Sequence, residues 1–262
     1  MGQCVLMAPS PPPGVPGPGA AARPRAPAWR TPALVAGVFA VAAVTATAVG
    51  AASRSTGAGA GPGSLAVSVT AGFVSAVDLQ DVPGQLTIVA TSSGHVRLTG
   101  QLDWSGRAAA ASSERAARRV LHLSVRCARA SPCTANLRLV VPSRTAVTLR
   151  QPSGHVVISG LAGPLRITAS SVDVSATGLR CPSLEAAITS GHLEAIFNAP
   201  PRDVGVSLTS AQATVLLPGG AAYAVTDQVT SGYIDVGVPQ DGSAPRAVTA
   251  RIVSGELDLQ TR

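Results

Sequence analysis

Residues 153–158 read SGHVVI, residues 190–195 SGHLEA, residues 231–236 SGYIDV and residues 254–259 SGELDL, and an earlier copy, SGHVRL, occupies 93–98. Each copy opens on a Ser-Gly turn and then alternates apolar and polar residues. Alternation with period two is the mark of a strand with one buried face. The inward residues after each turn are Val96, Val156, Val172, Leu193, Ala213, Ile234 and Leu257. Their partners two positions on are Leu98, Ile158, Val174, Ala195, Val215, Val236 and Leu259. Between them, facing outward, stand Arg97, Val157, Asp173, Glu194, Thr214, Asp235 and Asp258. A second strand precedes each turn, as in 186–190 (AAITS) and 206–210 (VSLTS).

The separations between successive inward residues are 60, 16, 21, 20, 21 and 23. The first equals three steps of about 20, and LHLSV (121–125) and LRL (137–139) fill the gap. One such unit cannot bury its own apolar face, whereas stacking at the ~4.8 Å strand spacing makes a continuous core. The expected fold is therefore all-β: a single right-handed parallel β-solenoid, or β-helix, of about 20-residue rungs over 65–262. A β-sandwich also shows short strands at regular spacing, but the return of the same turn residues in the same register favours the solenoid.

These Ser-Gly-x-hydrophobic-x-hydrophobic units resemble the bacterial "putative adhesin" family of β-strand repeat domains. The resemblance covers roughly 65–262 and is densest over 144–262. It implies a membrane-anchored surface module concerned with attachment, and it carries no catalytic residue to transfer.

Upstream, residues 33–52 hold no charged side chain. A helix of about 20 residues crosses a hydrocarbon core of ~30 Å. The segment 31–53 is thus expected to be one N-terminal transmembrane helix. Arg23, Arg25 and Arg30 precede it and only Arg54 follows closely, so the N-terminus is placed in the cytoplasm and the C-terminal domain outside the cell membrane. The rival reading is a cleaved leader, because Ala46-Thr47-Ala48 resembles a cleavage site; against it, the apolar run is long and lies behind some 30 residues. Residues 1–30, rich in Pro and Gly, read as a disordered cytoplasmic tail, and 54–64 as a flexible linker. Cys4 near the N-terminus hints at lipidation, but Leu6 stands where the myristoylation pattern wants Ser or Thr.

The basic residues are all arginine, 20 against 13 acids. Within 97–150 there are 10 arginines and only two acids, Asp103 and Glu114. One basic zone without lysine or interleaved aromatics does not suit nucleic acid. The stretch 104–119 (WSGRAAAASSERAARR) lacks alternation and reads as an inserted loop or short helix. Arg107, Arg115, Arg118 and Arg119 within it are candidates for a basic contact with an anionic envelope polymer or lipid headgroups.

Other chemistry is thin. His95, His155 and His192 share the position after the turn with Ser171, Gln212, Tyr233 and Glu256. His155 and His192 would lie two rungs apart, about 9–10 Å, too far to share one metal ion at ~2.1 Å bonds. Asp173 with Glu194, and Asp235 with Asp258, would be adjacent carboxylates, which suits weak calcium binding, but a solvated face gives no desolvation to raise a pKa. Cys127 and Cys133 flank a short loop and are candidates for a disulfide outside the cell, with Cys181 left over. No catalytic, cofactor or metal motif stands out. The expected function is a non-enzymatic, adhesin-like module binding envelope or extracellular components, either an anionic polymer or a surface protein. An envelope-sensing ectodomain is the alternative, and a polysaccharide-active β-helix enzyme the remote one.

Overall fold

The computed structural model describes residues 62–72, 74–105, 111–117, 119–126 and 132–262. The expected tail, the membrane segment 31–53 and nearly all of the linker lie outside these residues. Among the described residues there is no helix, and none is long and apolar enough to cross a membrane. Among the described residues thirteen strands form one sheet. They are β1 (Gly63–Gly72), β2 (Ala76–Gln80), β3 (Gly84–Thr91), β4 (His95–Trp104), β5 (Ala111–Ala117), β6 (Val120–Arg126) and β7 (Cys133–Pro142). The longer strands follow: β8 (Ala146–Ser159), β9 (Leu165–Leu179), β10 (Ser183–Phe197), β11 (Asp203–Leu217), β12 (Ala224–Gly237) and β13 (Ala247–Thr261).

Burial along β10 explains the length of these strands. Leu184, Ala186 and Ile188 are buried, then Leu193, Ala195 and Phe197. The buried phase slips from even to odd between 188 and 193. A flat strand would therefore turn its two halves to opposite faces. Both halves instead belong to one core, so the strand must bend at Ser190-Gly191. Gly191 has φ +113°, and a Cβ there would stand 2.2 Å from the Val172 carbonyl oxygen. The same slip occurs in β11 (Leu208 to Ala213) and β13 (Ile252 to Leu257). In β8 the slip coincides with a division of labour. The half before the corner pairs with β2 and the half after it with β3. Buried Gln151 sits at that divide, its amide donating to the carbonyls of Gly84 at 3.3 Å and Ser153 at 3.1 Å.

The expectation of a single right-handed parallel β-solenoid over 65–262 is corrected by this topology, while the expected transmembrane helix 31–53 lies outside the described residues. The sheet is mixed. β8, β9, β10, β11, β13 and β12 are parallel neighbours in that order, but β1–β4, β4–β7 and β5–β6 are antiparallel. The chain also does not advance one rung at a time. β3 lies between β7 and β8, and β13 slides between β11 and β12. Period-two alternation reports which face of a strand is buried and is blind to the direction of its neighbour. Residues 104–119, expected as an inserted loop or short helix, hold the end of β4 and the whole of β5, which forms an antiparallel hairpin with β6.

Candidate binding surface

In-register parallel pairing stacks like positions into columns about 4.8 Å apart. At the corner, Ser153, Ser171, Ser190, Ser210, Ser254 and Ser231 form an unbroken column across six strands. All but Ser190 are exposed. Two positions later the outward column runs Gln85, His155, Asp173, His192, Gln212, Glu256, Tyr233. Two positions further it runs Val157, Ser175, Glu194, Thr214, Asp258, Asp235.

This placement differs from the sequence reading at one strand. Residues 170–172 of β9 are Ser-Ser-Val where β8, β10, β12 and β13 have Ser-Gly, and by alternation alone Val172 reads as the first inward residue after the turn. Val172 instead occupies the glycine column, paired with Gly154 and Gly191. Asp173 consequently stands between His155 and His192 rather than beside Glu194. Glu194 takes Ser175 as its neighbour and accepts the Ser175 hydroxyl at 3.2 Å. The Asp235–Asp258 adjacency is present, and Asp235 accepts the Gln260 amide at 2.7 Å. Gln212 donates to Glu256 at 3.4 Å. Among the described residues, no group of three or more His, Cys, Asp or Glu is gathered to hold a metal ion.

A second polar cluster lies on the strand halves before the corner. Asp78 of β2 sits between His122 of β6 and the first half of β8. Its Oδ2 lies 3.2 Å from His122 Nδ1 and accepts the Gln80 amide at 2.9 Å, while Arg150 stands 3.6 Å from Oδ1. The carboxylate is mostly buried, at 17% exposure, whereas His122 and Arg150 are about half exposed. Alternation marks Asp78, His122 and Arg150 as outward, but only the strand order brings residues 44 and 72 positions apart together.

Two of the four arginines nominated from the sequence lie within the described residues. Arg115 of β5 pairs in register with His122, extending the row that contains Asp78. Arg119 forms the β5–β6 turn with φ +65° and an exposed side chain. Its carbonyl accepts the backbone N–H groups of Ser75 at 2.9 Å and Ala76 at 3.3 Å. Arg107 and Arg118 lie outside the described residues. Cys133 is disulfide-bonded, and Cys127, its expected partner, lies outside the described residues. Cys181 is free and buried. Burial pushes its thiol up to about 12, against a smaller lowering from a backbone hydrogen bond. Burial likewise raises the Tyr223 phenol, opposed by the nearby Arg246 charge, and the phenol oxygen has no hydrogen-bond partner. Asp241 is held low by hydrogen bonds from the Ser243 hydroxyl and N–H.

A cleft of about 450 Å³ runs across the entry ends of β8 to β11 and β13. The Arg166–Glu185 ion pair lines it. A shallower cleft of about 440 Å³ at the exit ends carries Arg180, Asn198 and Arg262, with Arg262 donating to the Asn198 side-chain oxygen.

No family model matches the chain, and no curated protein matches it. Solved structures do. A "putative cell adhesion protein" from Clostridium sporogenes is 10% identical, with a TM-score of 0.42, covering 77% of this chain and 100% of its own. A "putative adhesin" from Bacteroides fragilis is 12% identical, with a TM-score of 0.39, covering 74% of this chain and 96% of its own. A "putative lipid binding protein" from Parabacteroides distasonis is 8% identical, with a TM-score of 0.30, covering 74% and 97%. Similarity at this level gives the chain neither a family nor an activity.

Proposed function

We propose that the chain is a non-enzymatic, adhesin-like module held at the cell surface by the apolar run 33–52, and that it contacts an anionic envelope component. The observation that supports this reading is the segregation of charge along the sequence. Residues 97–150 carry a net +8 and the remainder of 54–262 a net −4. Within the basic zone, Arg119 is presented on a turn whose carbonyl is anchored by two N–H groups, beside Arg115 on β5. Among the described residues β5 has β6 as its single partner strand, so this hairpin lies at a margin of the described sheet. A cationic margin of this kind attracts an extended polyanion with little demand for shape.

Co-sedimentation of the full chain with insoluble cell-wall material and with phosphatidylglycerol vesicles tests the proposal. Binding that falls with added salt, and that is lost when Arg107, Arg115, Arg118 and Arg119 are all replaced by Gln, is the expected result. Absence of binding at both low and high salt refutes it.

A further inference from the structure

The stack ends at β12, and this strand is unlike the rest. Its inward positions follow the columns of β13: Val225 pairs with Val248, Val229 with Ile252, Ile234 with Leu257 and Val236 with Leu259. The four β13 residues are at most 1% exposed, whereas their four β12 counterparts are only partly buried. Among the described residues no further strand stacks on β12, and the backbone groups along its outer side have no ladder partner there. A second copy of this chain could supply both the strand and the apolar cover.

One position opposes that. The inner column that runs Leu123, Leu79, Leu149, Ile167, Ala186, Val206, Ala250 ends on β12 at Asp227. Those seven residues are buried, and Asp227 is exposed. The same column ends with an acid in the other direction as well, since the register pairs Glu114 of β5 with Leu123. Acids therefore occupy both terminal positions of a column that is otherwise entirely apolar.

We infer that Asp227 and Glu114 are end stops that keep copies of this chain from stacking on one another. A strand added to β12 would remove water from the Asp227 carboxylate and offer no cation in exchange, which is strongly unfavourable. A head-to-tail contact would also set the register position of Asp227 in one copy opposite that of Glu114 in the next. Charges at the inner register positions of edge strands block edge-to-edge pairing in this way. With only the β12 stop removed, the one permitted contact is β12 against β12, which closes as a dimer. With both removed, a head-to-tail contact can repeat without closing.

The test is sedimentation equilibrium of the full chain, in a mild detergent that covers the apolar run 33–52, for wild type, D227V and D227V/E114V. Far-UV circular dichroism and a melting curve serve as folding controls. The expected result is no concentration-dependent association through β12 in wild type, a doubled mass for D227V, and open-ended polymers for the double variant. D227N, which keeps size and polarity but loses charge, shows a smaller shift in the same direction and carries the test if D227V does not fold. Folded D227V or D227N with the mass behaviour of wild type overturns the inference. So does a wild-type self-association that V229D abolishes.

Discussion

Replacing Gly191 by alanine tests the corner on which the bent sheet depends. Two costs fall on this position. Its φ of +113° lies where a residue with a Cβ is strained by about 1–3 kcal/mol. The new Cβ would also stand 2.2 Å from the Val172 carbonyl oxygen. That oxygen belongs to backbone held in register by the β9–β10 ladder, so relief requires opening the ladder locally. Losing one or two ladder bonds adds roughly 1–3 kcal/mol. The expected loss is about 2–6 kcal/mol, a large share of a typical domain's stability. Gly220→Ala separates the two costs, because its φ is +82° with nothing within 4 Å, leaving strain alone at about 1–2 kcal/mol. Gly242→Ala, with open space and no positive φ, should stay within about 0.5 kcal/mol. Urea denaturation followed by circular dichroism ranks the three by their midpoints. A Gly191→Ala loss no greater than that of Gly220→Ala would refute the close approach at the corner.

Asp78→Asn should cost about 1 kcal/mol, because the carboxylate serves His122, Gln80 and Arg150 but His122 and Arg150 are about half exposed; the loss, measured by denaturation, should shrink at high salt. Cys181 should resist alkylation in the folded protein and react on unfolding, followed by mass spectrometry, since its thiol titrates near 12. The corresponding stability term is fully present below the unfolded thiol's pKa of 9.0. Above that, the unfolded chain ionises first, so stability falls as pH rises toward 12, and Cys181→Ala should flatten that fall.

Much of the packing was legible in the strings beginning with Ser-Gly. Of the fourteen residues read as inward after the turns, twelve are buried, and the two exceptions, Ile234 and Val236, lie on the edge strand β12. Local alternation suffices for this, because the backbone pleat alone decides which side a residue faces. The error at Val172 shows the limit. With no glycine to mark the corner in β9, the phase was set two residues early, and a shift of two preserves the face while changing every neighbour. That is why Asp173 was assigned to the wrong column although its outward orientation was correct.

What the sequence determined by itself is the all-β class, the buried face of each strand and the concentration of arginine within 97–150. What only the tertiary structure decided is who stands beside whom: the antiparallel β4–β7 and β5–β6 pairs, the insertion of β13 between β11 and β12, the meeting of Asp78 with His122 and Arg150, and the acids at both ends of one inner column. The physical reason is that a strand's buried face is encoded in its own few residues. The identity and direction of its neighbour are instead chosen by hydrogen-bond closure and core filling across the whole stack.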